Sequence, residues 1–240
     1  TYEDDSLVQK PGMLEVSHVS FGYPGREKIY EDFNLSAFPG QIIGVTGAVA
    51  CGKSTLGKTF LCEYPYEGRI RFHGKELSEM TKAERTGMIG YLGHDPELFN
   101  DSVRNNILLG DDDDPEKYLK AVCFDGEVAE MEEGMDTIVG NGGVRLSGGQ
   151  AQRLALARTL CHKRPVLILD DPFSALDRKT EEEVFANLRK FTADSIVILL
   201  SHRLYLFPEM DQVLWMEAGK VTAGTHEQIL EKFPEYARLY

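Results

Sequence analysis

The most constraining feature of the sequence is a short apolar run, "GQIIGVTG", that ends in glycine, passes through "GAVACGKST" (residues 47–55) and continues as the helical pattern "KSTLGKTFL". A strand buried on both faces that feeds a glycine turn and then a helix is compatible with few folds. Gly47, Gly52, Lys53 and Ser54 satisfy G-x-x-x-x-G-K-[ST] in that context. The glycines let backbone N–H groups turn inward, and with the positive end of the helix they form a cradle for anionic phosphates. Lys53 is placed to reach β- and γ-phosphates, and Ser54 to offer its hydroxyl to Mg²⁺. Ala48, Val49, Ala50, Cys51 and Thr55 complete the expected contact set. The structural alternative is a glycine-rich turn feeding a helix. Composition alone supplies the pattern in ~1% of such chains, and the flanking strand and helix lower that further.

Elsewhere, residues 13–23 ("MLEVSHVSFGY") alternate as a strand does, and "GRIRFHGKEL" (residues 68–77) reads as strand and turn. "PVLILDD" and "DSIVILLSH" are continuous apolar runs, and "DQVLWMEAGKVTAG" reads as a hairpin turning at Ala218 and Gly219. Apolar strands alternating with helical segments indicate an α/β fold, a parallel sheet with helices on its faces. Residues 95–163 lack such runs and read as mostly helical, an insertion in the α/β core. At 240 residues the chain suits one sizeable domain. No stretch approaches the roughly 18 uninterrupted apolar residues of a membrane span. The acidic start, residues 1–12, is no secretory signal and reads as a linker or the cut edge of a longer chain.

With 26 basic against 39 acidic residues the net charge is −13, which argues against a nucleic-acid-coating surface. The acidic run Asp111, Asp112, Asp113, Asp114 lacks the ligand spacing of a calcium loop. It reads as a solvated loop in which Asp114 caps a helix opened by Pro115. Cys51, Cys62, Cys123 and Cys161 show no zinc-like spacing and read as free thiols.

"VRLSGGQAQRLALARTL" (residues 144–160) narrows the field. In "LSGGQ" (Leu146, Ser147, Gly148, Gly149 and Gln150), Ser147 and the two glycines open a helix and offer hydroxyl and N–H donors to an anion. With the phosphate loop upstream, the pattern resembles the ATP-binding-cassette (ABC) ATPases. The likeness covers about residues 13–240. It implies a P-loop NTPase (RecA-like) core, about residues 13–94 and 164–240, with an N-terminal antiparallel β-subdomain and an inserted helical subdomain, about residues 95–163. ATP and Mg²⁺ are the implied ligands. Tyr23 in "FGYPG" matches the aromatic that stacks on adenine, where the alternative is a core tyrosine. Asp170 matches the aspartate that orders Mg²⁺, residues 174–177 ("SALD") match the loop crossing between two cassettes, and His202 matches the histidine at the γ-phosphate and attacking water. In this family two cassettes face head to tail, so residues 146–150 are expected to serve ATP held by the partner.

"HDPELFNDSVRNNILLG" (residues 94–110), the T-x-V-G-x-x-G segment before the signature and the C-terminal tail resemble the exporter branch. That implies a transmembrane domain on the same polypeptide and a place at the cytoplasmic face of the cell membrane. Three positions depart from the pattern. His94 stands where a glutamine meets Mg²⁺ and water, Asn141 replaces an acidic residue, and Asp171 replaces the glutamate that polarises the attacking water. Asp is shorter than Glu by about 1.5 Å, and a misplacement of about 1 Å costs on the order of 10²-fold. His94 also changes charge near neutral pH, as an amide does not. The expectation is a cassette that binds Mg-ATP, hydrolyses it slowly with Lys53, Asp171, His94 and His202, and completes a competent site on a different partner cassette. The alternatives are a non-hydrolytic regulatory half, a separate importer ATPase subunit, and a soluble ABC ATPase acting on DNA or ribosomes. The acidic balance and the exporter-like segments oppose the last. Cys51, beside a helix N-terminus and Lys53, is expected to have a lowered pKa. A thiol reagent should label it and Mg-ATP should protect it, whereas equal labelling with and without nucleotide would mark an inert packed cysteine.

Overall fold

A computed structural model of the chain describes residues 12–48 and 52–240. The linker expectation, apart from Gly12, and the expectations for Val49, Ala50 and Cys51 lie outside the described residues. The chain opens with β1 (Leu14–Gly22), β2 (Lys28–Ala37), β3 (Ile42–Gly47) and α1 (Lys53–Thr59). Next come β4 (Glu67–Phe72), β5 (Lys75–Glu76), α2 (Lys82–Met88) and β6 (Ile89–Leu92). The middle of the chain holds β7 (Asp101–Ser102), α3 (Val103–Leu108), α4 (Pro115–Ala121), α5 (Asp125–Ala129), β8 (Ile138–Val139) and α6 (Gly148–Cys161). β9 (Val166–Asp170), α7 (Arg178–Phe191), β10 (Ile196–Leu200), β11 (Gln212–Glu217) and β12 (Lys220–Gly224) follow, then α8 (His226–Lys232) and α9 (Pro234–Leu239).

Among the described residues ten strands form one sheet, in the order β5-β4-β1-β2-β12-β11-β3-β10-β9-β6. β6, β9, β10, β3 and β11 pair in parallel. β1, β2, β4 and β5 pair antiparallel. The two parts meet where β12 pairs with β2 at Lys220 and Glu31, so the antiparallel strands continue the main sheet.

The continuous apolar runs have a simple use. Successive side chains on a strand point to opposite faces, and here each face has its own core. Leu167, Leu169, Val197, Leu199, Val213 and Trp215 pack with the helices α3, α4, α6 and α7. Ile168, Ile198, Leu200, Leu214 and Met216 pack with Leu56 of α1 and with Leu14, Val16 and Phe33 of the antiparallel strands.

The β11–β12 hairpin turns at Ala218 and Gly219, both at positive φ, as the sequence predicts. Asp114 caps α4, accepting the Glu116 N–H at 3.0 Å, with Pro115 in the first turn. β2 was not legible in the sequence because its alternation breaks: Tyr30 and Phe33 are both buried, with Asp32 between them at φ +53. A matching irregularity at His18 (φ +51) faces it, and the two side chains meet at 2.6 Å. Paired bulges of this kind shift the side-chain period by one residue. Cys62, Cys123 and Cys161 are free. No helix among the described residues is long and apolar enough to cross a membrane.

Candidate nucleotide site

β3 carries the chain to Gly47, and the Ala48 N–H bonds the Met216 carbonyl of β11 at 3.3 Å, which fixes where the loop begins. The loop ends at Gly52, whose φ of +91° is the left-handed region that favours glycine. A Cβ there would also lie 2.4 Å from Ile29 Cγ2, so no side chain fits. α1 then begins at Lys53, whose Nζ lies 3.1 Å from His202 Nδ1. Lys53 can only donate, so that contact calls for an unprotonated Nδ1. Ser54 is exposed at the first turn. Thr55 Oγ1 lies 3.5 Å from the Tyr23 hydroxyl, which places the half-buried Tyr23 ring beside the loop. Tyr23 is held edge-on by Phe21 and Tyr64, with ring centroids 5.3 Å away in each case. Tyr23, Gly52, Lys53, Thr55 and His202 are thus brought together from three separate stretches of sequence.

The carboxylates stand at the end of β9. Asp170 is 7% exposed and accepts a hydrogen bond from Tyr91 of β6 at 3.2 Å. Burial and the Asp170 charge hold the Tyr91 phenol well above its usual range. Asp171 takes a left-handed backbone (φ +50°) that bends the chain away from the strand, with its N–H on the Leu200 carbonyl at 2.8 Å. Its side chain is 14% exposed, and His94 Nδ1 stands 3.9 Å away, an electrostatic neighbour rather than a hydrogen bond. Burial raises the Asp171 pKa, and Asp170 adds to the rise, while His202, His94 and Arg203 oppose it.

The signature opens α6. Ser147 caps the helix: its Oγ accepts the Gln150 N–H at 3.2 Å, and the Gln150 side chain returns to the Ser147 N–H at 2.9 Å. This capping box satisfies two N–H groups at the helix start. Leu146 is half-buried against the helical core, whereas Ser147 and Gly148 face solvent. A Cβ on Gly149 would lie 2.9 Å from the Ala175 carbonyl, so the 174–177 loop lies directly on the signature. Asn141 is exposed, in a segment held by Asn100, which accepts the Gly142 N–H at 3.1 Å.

Four residues that sequence reading did not single out organise this region. Tyr91 holds Asp170. Arg203 donates to the carbonyls of Ser174 and Leu176 at 2.8 and 2.7 Å and pairs with the fully buried Glu181 at 2.6 Å. Gln152 of α6 bonds Ser174 and Ala175. A signal was present for Glu181: it falls on the apolar stripe of α7 with Val184, Phe185 and Leu188.

A protein-family model described as ABC transporter matches residues 30–174. YheI of Bacillus subtilis, a probable multidrug resistance ABC transporter ATP-binding/permease protein, is 35% identical over 240 residues, covering 97% of this chain and 41% of that protein. An ATP-dependent lipid A-core flippase of Pseudomonas syringae pv. tomato is 38% identical over 242 residues, covering 98% and 40%. Among solved structures, a bacterial Atm1-family ABC exporter with ATP bound matches with a TM-score of 0.87 at 30% identity, over 97% of this chain and 42% of that one. The chain spans about two fifths of the length of these relatives.

Proposed function

Since the chain belongs to the ABC transporter family, we propose that it binds and hydrolyses ATP to power an exporter. The contact that carries this reading is Lys53 Nζ 3.1 Å from His202, with Asp171 and His94 in the same cluster. The site fits a nucleoside triphosphate with Mg²⁺: Lys53 supplies a cation beside His202, and the Asp170 and Asp171 carboxylates stand together at the end of β9 with His94 beside them. Ser54, Asp170 and His94 are the residues that would hold Mg²⁺, which neutralises charge on the phosphates when bound. Tyr23 stacks on the base, Lys53 binds the phosphate end, and His202 orients the terminal group. Asp171 takes the proton of the attacking water, and His94 adjusts the charge around it.

Two such cassettes close head to tail, and the solvent-facing Ser147 and Gly148 complete the site on the partner. The cassette lies at the cytoplasmic face of the membrane, and a transmembrane domain on the same polypeptide receives the work of closure. The Asp171 and His94 departures favour a slow site here and a different cassette as partner. In the second reading, bound ATP acts only as dimer glue and hydrolysis at this site is dispensable. Single-turnover measurements at each site of the assembled transporter separate the two. Brisk, cooperative hydrolysis by the domain purified alone would overturn the asymmetric proposal.

The base platform is open to a direct check. Base–aromatic stacking is worth about 1–3 kcal/mol, so Tyr23→Ala should weaken Mg-ATP binding about tenfold or more while Tyr23→Phe keeps most of it. Titration calorimetry reads the difference, and equal affinities would return Tyr23 to a packing role.

A further inference from the structure

Gln152 is 7% exposed on α6, among buried Leu154, Ala155, Leu156, Ala157 and Leu160. Its Nε2 donates to Ser174 Oγ at 2.8 Å and to the His94 carbonyl at 3.3 Å. Its Oε1 accepts the Ala175 N–H at 3.3 Å. A carboxamide offers two donor hydrogens and an acceptor oxygen, and each is used here on a part of the chain outside α6. A buried amide is costly unless it is bonded, and once fully bonded it fixes the groups around it.

The segments it joins are those the reaction uses. The 174–176 loop lies on Gly149 of the signature through the Ala175 carbonyl. Arg203, next to His202, grips the same loop through the Ser174 and Leu176 carbonyls. The His94 ring stands 3.9 Å from Asp171. One side chain therefore ties the backbone of His94, the loop that crosses toward a partner, and the helix that carries the signature.

We propose that Gln152 is a positioning residue of the hydrolytic site, whose amide keeps the His94 backbone, the 174–176 loop and the signature glycines in one fixed arrangement. Its effect on catalysis rests on the ATPase reading above, and the geometry it imposes does not.

Gln152→Leu keeps the volume and removes all three hydrogen bonds, whereas Gln152→Glu keeps an acceptor for the Ala175 N–H. Native-state amide exchange should run about tenfold faster at Ala175 in Gln152→Leu and stay near the natural rate in Gln152→Glu. In the full-length protein both variants should lose about tenfold in kcat with KM for Mg-ATP nearly unchanged, the pattern of a group that acts on the transition state. Unchanged exchange at Ala175 in Gln152→Leu, or unchanged kcat in both variants, would overturn the proposal. So would kcat, KM and thermal midpoint declining together in both, as a merely structural role requires. If Gln152→Leu fails to fold, the kcat and KM of Gln152→Glu decide. If the natural chain hydrolyses no ATP, the functional reading fails and the exchange comparison alone decides the positioning role.

Discussion

Asp171→Glu should turn over ATP on the order of 10²-fold faster than the natural chain at the site built on its own phosphate loop. Asp171 cannot move its backbone to make up for its length. Its N–H is fixed to the Leu200 carbonyl and its φ of +50° is set by the bend after β9. Only one more methylene extends its reach. The pH profile offers a second check. Burial raises the Asp171 pKa, so the base is lost by protonation at a higher pH than for a free carboxyl. Turnover of the natural chain should therefore fall as pH drops through that raised value. Rapid-quench single-turnover measurements across pH read both effects. Equal or lower turnover in Asp171→Glu would show that reach does not limit this site.

Arg203→Met should destabilise the domain by about 3–5 kcal/mol, the range for breaking a buried ion pair from one side. Glu181 is fully buried, and its Oε2 receives Arg203 at 2.6 Å together with the Tyr205 hydroxyl. Removing the guanidinium leaves a carboxylate without its compensating charge. Burial already raises the Glu181 pKa while Arg203 and Tyr205 pull it back. A carboxyl with a raised pKa favours folding in acid, and that contribution is lost as pH rises through the folded-state value. Without Arg203 the folded-state value rises further, so the loss runs on to higher pH and is larger. The deficit of Arg203→Met should therefore be largest near neutrality and shrink on acidification. The double variant Arg203→Met/Glu181→Leu should recover most of the loss. Denaturant unfolding at two pH values measures all of this, and a deficit that grows in acid would refute the assignment.

The parts of this molecule that could be read from its sequence are those governed by local periodicity and spacing. β3, β9 and β10 declared themselves as apolar runs, the hairpin at Ala218 and Gly219 by its turn residues, and α4 by Asp114 and Pro115. The phosphate loop and the signature were legible because each needs glycines at fixed offsets. β2 was hidden by its bulge at Asp32, and β7 and β8 by having only two residues each. Gln152 was hidden for another reason. Its partners His94 and Ser174 lie 58 and 22 positions away, and no local pattern records such pairings. Tyr91 and Asp170, 79 positions apart, are the same case.

The two-faced core also has a consequence for how the chain comes off the ribosome. Leu14, Val16 and Phe33 emerge long before Leu214, Met216 and Val221, yet all six share one apolar cluster. The Ile42 N–H similarly waits for the Asp211 carboxylate, 169 positions later. Until those strands arrive, the first-made sheet carries a greasy underside with nothing to cover it, an invitation to clumping that holdase chaperones exist to prevent.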